Sequence, residues 1–167
     1  RRWEKPLRYA PVGVKLEPER AWLRPPSPAL AFNAPHSLIV MTYNGNDTIV
    51  FRAADGSQVW SKTTGSKRDL YPLYPPVVLS DYVLLTHHNG LRGNLCDILT
   101  GKPVGPDAGV QSPRTCARVI GSDELLVYRD AATELYDVAG RSTLRFNSVR
   151  SGCTTSFIPA GGVMTAP

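Results

Sequence analysis

Long apolar runs are missing from this 167-residue chain: the longest are four residues, such as Leu38-Ile39-Val40-Met41, against the ~20 of a membrane-crossing helix. Cysteine is scarce. Cys96, Cys116 and Cys153 have no Cys-x-x-Cys spacing and no His-x-x-x-His partner, which argues against a zinc site or a redox pair. The adjacent His87-His88 is the sole histidine cluster, and in a strand its side chains point to opposite faces, a poor grip on one ion. Charged residues make only 20% of the chain, below the usual quarter, which excludes a disordered charged tail and a coiled coil. No apolar leader follows Arg1, so no signal peptide is read here.

The net charge is +5, from 19 Lys and Arg against 14 Asp and Glu. A local excess occurs only at Arg1, Arg2, Lys5 and Arg8, with a weaker echo at Lys62, Lys67 and Arg68. Scattered cations build no focused field, so neither a nucleic-acid partner nor a membrane span is expected.

What the chain does have is turn residues. Fifteen prolines and fourteen glycines make 29 of 167 residues. Seven prolines fall in residues 1–37 (Pro6, Pro11, Pro18, Pro25, Pro26, Pro28, Pro35), where long helices are disfavoured. That segment reads as loops with one or two strands packing on the body. From residue 38 onward, short apolar runs alternate with turn signals: strands at 37–43, 48–53 and 57–61, then 76–79, 82–86, 93–98 and a short piece after Gly101, then 116–120, 124–129, 133–138 and 142–146. Segments 153–158 and 163–166 begin one more round.

Three turn motifs superimpose: Val50-Phe51-Arg52-Ala53-Ala54-Asp55-Gly56, Leu95-Cys96-Asp97-Ile98-Leu99-Thr100-Gly101 and Leu135-Tyr136-Asp137-Val138-Ala139-Gly140. Positions 52, 97 and 137 are 45 and 40 residues apart, the length of one four-stranded propeller blade, ~40–45 residues. In this motif an apolar strand ends in an acid that can accept N–H groups of the turn, and small residues with a glycine then reverse the chain. Trp60, after the first motif, suits packing on a neighbouring sheet. Residues 124–136 also carry a helical spacing (Leu125, Tyr128, Ala132, Leu135), and local propensity favours that helix. The repeat register instead places a hairpin there, turning at Asp130-Ala131-Ala132.

The fold class expected is therefore all-β, an incomplete β-propeller of about three to four blades built from four-stranded antiparallel sheets. The blades are expected at about 38–73, 75–112 and 114–150, with a partial one at 152–167, after the Pro-rich segment 1–37.

The motifs resemble those of pyrroloquinoline-quinone-like, or quinoprotein alcohol dehydrogenase-like, β-propellers, whose pattern is roughly A-x-D-x-x-T-G-K-x-x-W. Asp97, Thr100, Gly101 and Lys102 match best. Asp55, Gly56 and Trp60 form a second copy with Arg52 in the acid's place, and Asp137 and Gly140 a third, one residue shorter. The closing region, Arg150-Ser151-Gly152-Cys153 and Ile158-Pro159-Ala160-Gly161-Gly162-Val163, is similar to that of large exported bacterial repeat proteins, notably from planctomycetes.

The resemblance implies a non-catalytic binding or scaffold module, a piece of a larger exported protein whose partners are proteins or its remaining blades. The alternative it implies is a fragment of a quinone- and calcium-dependent alcohol or sugar dehydrogenase. Such an enzyme needs converging oxygens for calcium and often a Cys-Cys pair, which this chain lacks. The acids Asp81, Asp107, Asp123 and Asp130 stand beside turn residues, so no catalytic, cofactor or metal residue is assigned. A sugar- or peptide-binding propeller would use Tyr71, Tyr74 and Tyr82, for which core packing is the stronger expectation. Cys116 and Cys153 start successive blades and are expected to pair in an oxidising compartment, with Cys96 a buried free thiol.

Overall fold

The computed structural model describes residue 4 and residues 29–43, 47–63, 76–85, 93–104, 109–110, 119–129, 132–149, 157–160 and 163–165. Among these residues the secondary structure is all strand and turn. The first sheet is β1 (Ala29–Asn33), β2 (Leu38–Tyr43), β3 (Asp47–Arg52) and β4 (Gln58–Thr63), hydrogen-bonded in chain order. The second is β5 (Val77–Val78), β6 (Tyr82–Leu85), β7 (Gly93–Asp97) and β8 (Gly109–Val110). The third is β9 (Ile120–Gly121), β10 (Leu125–Arg129), β11 (Thr133–Asp137) and β12 (Ser142–Phe146). A pair, β13 (Ile158–Ala160) and β14 (Val163–Thr165), follows. All pairings are antiparallel, and β1 lies against β5 as β5 lies against β9, so the first strands of successive sheets are neighbours.

Strand alternation explains why the sheets stack. Successive side chains point to opposite faces, so a strand apolar at every position has two faces to bury. Leu38, Val40 and Val50 of the first sheet pack on Val83, Leu85, Cys96 and Ile98 of the second, all but excluded from solvent. The second sheet's other face, Leu84 and Leu95 with Leu79, packs on Leu126, Tyr128, Tyr136 and Val138 of the third. Cys96 is free and buried, and desolvation raises its thiol pKa. Tyr128 is held in its neutral form mainly by burial.

One expectation is met in full and two meet the structure differently. The helical spacing in 124–136 folds as the hairpin β10–β11, with Leu126 opposite Tyr136 and Val127 opposite Leu135. Each strand there has partners on both sides and both faces to cover, which outweighs local helix propensity. The first sheet does not begin at residue 38: Ala29–Asn33 supplies its first strand from inside the Pro-rich segment. Proline spares this stretch between Pro28 and Pro35, leaving every N–H available to a ladder. Nor is the third turn motif shorter than the others. Gly56 and Gly101 have φ of 69° and 68°, and each donates its N–H to the carbonyl four residues back, Arg52 at 2.9 Å and Asp97 at 2.8 Å. In the third turn Arg141, one position after Gly140, takes the left-handed conformation with φ 50°.

A left-handed arginine carries a cost that glycine avoids, about 1–2 kcal/mol, of which glycine's greater unfolded-state freedom returns about half. Arg141→Gly is therefore expected to stabilise the protein by about 0.5–1 kcal/mol, seen as a higher urea midpoint. A lower midpoint would show that the Arg141 side chain contributes more than its backbone strain removes.

Candidate functional site

The turn motifs hold their shape through their own acids. Asp97 Oδ1 accepts the Thr100 N–H at 2.8 Å and the Thr100 hydroxyl at 2.7 Å. Asp137 Oδ1 accepts the N–H groups of Ala139 and Gly140, both at 3.0 Å. A side chain at Gly140 would collide with the Asp137 carboxylate. In the first turn, where Arg52 stands at the acid's position, Asp55 accepts the Ser57 N–H at 2.8 Å instead. The Ser57 hydroxyl and N–H hold the Asp55 carboxyl below its ordinary range.

Trp60 crosses from the first sheet to the second sheet's turn. Its Nε1 donates to the Ile98 carbonyl at 2.7 Å, and its ring covers Gly101 so closely that a Cβ there would lie 2.8 Å from Cδ2. Lys62 Nζ reaches the Gly101 carbonyl at 3.4 Å. The anticipated motif residues Trp60, Asp97, Thr100 and Gly101 thus come together as one joint between sheets, whereas Asp55, Gly56, Asp137 and Gly140 each serve their own turn.

A second set of contacts, unread in the sequence, joins the turns between each sheet's first and second strands. Asn33 is buried, and its Nδ2 donates to the carbonyls of Leu79 at 2.8 Å and Ser80 at 2.9 Å, while its Oδ1 accepts the His36 N–H at 2.9 Å. His36 Nε2 lies 2.9 Å from Asp81 Oδ1. Asp123 takes the Ser80 N–H at 2.5 Å on one oxygen and the Ser80 hydroxyl at 2.6 Å on the other. Asp123, expected only to shape its own turn, therefore bridges the third sheet to the second. The signal for this set was the recurrence of short polar residues just before each second strand (Asn33 to His36, Ser80-Asp81, Ser122-Asp123).

Between these turns lies a groove of about 350 Å³ lined by residues of all three sheets. Phe32, 61% exposed, and Pro35 form its first-sheet side; Val78, Leu79 and Ser80 its middle; Asp123 and Glu124 its third-sheet side. Glu124 accepts the Ser122 hydroxyl at 2.8 Å. Tyr82 packs half-buried on the core between the second and third sheets. Tyr71, Tyr74, His87, His88, Asp107, Asp130, Cys116 and Cys153 lie outside the described residues, and with them the expected disulfide.

The calcium of the dehydrogenase alternative requires several oxygens converging on one point. Among the described residues no three His, Cys, Asp or Glu side chains come together, and Asp55, Asp97, Asp123 and Asp137 are each engaged by N–H or hydroxyl donors.

The Ser80 hydroxyl, then its N–H, hold the Asp123 carboxyl below its ordinary range. A carboxyl with a lower pKa folded than unfolded stabilises the protein above the unfolded value, near pH 4, and that contribution disappears as pH falls through the folded value. Asp123→Asn is expected to flatten the stability curve below about pH 4. Urea unfolding from pH 7 to 2.5 measures it, and an acid limb identical to the parent's would disprove the bridge's part in it.

No protein-family description and no curated protein matches the chain. Solved structures do. BamB from Moraxella catarrhalis is similar over 79% of this chain and 40% of its own, with a TM-score of 0.59 and 16% identity. The computationally designed Ika4 protein is similar over 85% of this chain and 91% of its own, with a TM-score of 0.56 and 17% identity. The WD40 domain of Neurospora crassa Pan2 is similar over 77% of this chain and 45% of its own, with a TM-score of 0.51 and 17% identity. The chain spans about two fifths of the BamB structure. At these identities the likeness shows the fold: an all-β, incomplete β-propeller whose sheets are the blades. Among the described residues no helix is long and apolar enough to cross a membrane.

Proposed function

We propose that the chain is a non-catalytic binding or scaffold segment of a pyrroloquinoline-quinone-like β-propeller, part of a larger exported protein of bacterial, planctomycete-like type. The observation that carries this reading is the use of the site's polar groups. Asn33, Ser80, Asp97, Asp123 and Asp137 spend their hydrogen bonds joining turns and blades, which makes a rigid surface rather than a reactive one. The Asp97-Thr100-Gly101-Lys102 motif and the Trp60 joint support the quinone-like subfamily. The likeness of the closing segment to exported repeat proteins supports the location. The partner on this reading is a protein, or the remaining blades of the parent chain.

Titration with pyrroloquinoline quinone and calcium, followed by visible absorbance and by alcohol and sugar oxidation, tests it. The expected result is no cofactor spectrum and no turnover. Saturable turnover would replace this reading with the dehydrogenase.

A further inference from the structure

We infer that the groove between the first-to-second-strand turns of the three blades binds an extended, positively charged peptide segment in which basic and apolar side chains alternate. The inference rests on the binding-module reading and names its partner's chemistry. The groove has an apolar side and an acidic side. Phe32, 61% exposed, and Pro35 offer apolar surface from the first blade, and half-buried Val78 adds to it from the second, while Leu79 beneath is only 4% exposed. A side chain as large as Phe32 left this open has an area to cover, and its ring face also attracts a guanidinium or ammonium group.

The third blade contributes charge of one sign. Asp123 and Glu124 line the groove, and among the described residues no Lys or Arg lines it, in a chain whose net charge is +5. The Ser80 N–H and hydroxyl keep Asp123 ionised, and Glu124 has accepted one hydroxyl, from Ser122, of the roughly four hydrogen bonds a carboxylate can take. Two such carboxylates repel phosphate, which disfavours RNA and anionic lipid headgroups as occupants. At about 350 Å³ the groove is at the small end of ligand sites, ~300–1,000 Å³, and it takes one or two long side chains rather than a folded surface. Its lining runs across three blades, which suits an extended backbone laying an apolar side chain at Phe32 and a basic one at Glu124. The blade-joining bonds of Asn33 and Asp123 hold both sides in place before the ligand arrives, so little ordering opposes binding.

Fluorescence anisotropy of the 167-residue chain tests this with three labelled probes: an alternating Arg-Leu peptide, an alternating Glu-Leu peptide and polyuridylate. The Arg-Leu peptide is expected to bind saturably and to weaken as salt rises; the other two are expected not to bind. Glu124→Gln and Phe32→Ser, both at exposed positions, are each expected to weaken binding about three- to fivefold, and together about tenfold or more. Absence of Arg-Leu binding, equal binding of Glu-Leu, binding of polyuridylate, or affinity unchanged in both variants would overturn the groove's assignment and leave the module reading standing. Quinone- and calcium-dependent turnover would instead remove the module reading itself.

Discussion

Trp60→Ala is expected to destabilise the protein by about 3 kcal/mol, the lower end of the range for buried tryptophans because its ring is only partly covered. The loss has two sources. The ring leaves the joint between the first and second blades, and the Ile98 carbonyl loses its 2.7 Å donor. Gly101 shows that the fit is tight from the other side. Its φ of 68° strains any other residue, and a Cβ would lie 2.8 Å from the Trp60 ring. Gly101→Ala should therefore cost about 2–4 kcal/mol, part backbone and part collision. Only the backbone part survives once the ring is gone. A double-mutant cycle of Trp60→Ala and Gly101→Ala is expected to give a coupling of about 1 kcal/mol or more, read from urea midpoints. Strictly additive costs would mean that glycine is needed there for its backbone alone.

This joint could be read in the sequence because its chemistry is local. Asp97, Thr100 and Gly101 lie within five residues, and each has a job that its type performs in any turn of this kind. Their repetition placed the blades, and the same register decided residues 124–136 against the helix their spacing favours. What local chemistry does not encode was missed. The first strand, Ala29–Asn33, has no turn motif of its own and exists because β2 offers it an open edge. Arg141 stands where a glycine would fit because Gly140 sits one residue early, which made the motif look short. The groove was illegible for the same reason. Its residues come from three stretches some 45 residues apart, and an acid such as Asp123 looks like any turn former until its partner, Ser80, is seen across the blade boundary.

Asn33 gives the second large effect, and it depends on which atom faces the neighbouring blade. Its Nδ2 donates to two carbonyls of the second blade, from a position only 2% exposed. Asn33→Ala leaves those carbonyls and the His36 N–H without partners, for an expected loss of about 2–4 kcal/mol at any pH. Asn33→Asp is nearly identical in shape but puts a carboxylate oxygen against two carbonyl oxygens. At pH 7 its cost is expected to exceed alanine's by about 1–2 kcal/mol, because charge is then buried beside acceptors. That environment raises the folded pKa of the new carboxyl above its unfolded value near 3.9. The folded state then binds the proton more tightly than the unfolded one. Relative to the parent at each pH, stability returns as pH falls through the raised value, and no more is gained below about pH 4. Once protonated, the carboxyl can donate to one of the two carbonyls, so Asn33→Asp should become the more stable variant in acid. Urea midpoints of both variants at pH 7 and pH 4.5 read the crossover; two parallel lines would mean that residue 33 does not present a donor to the second blade.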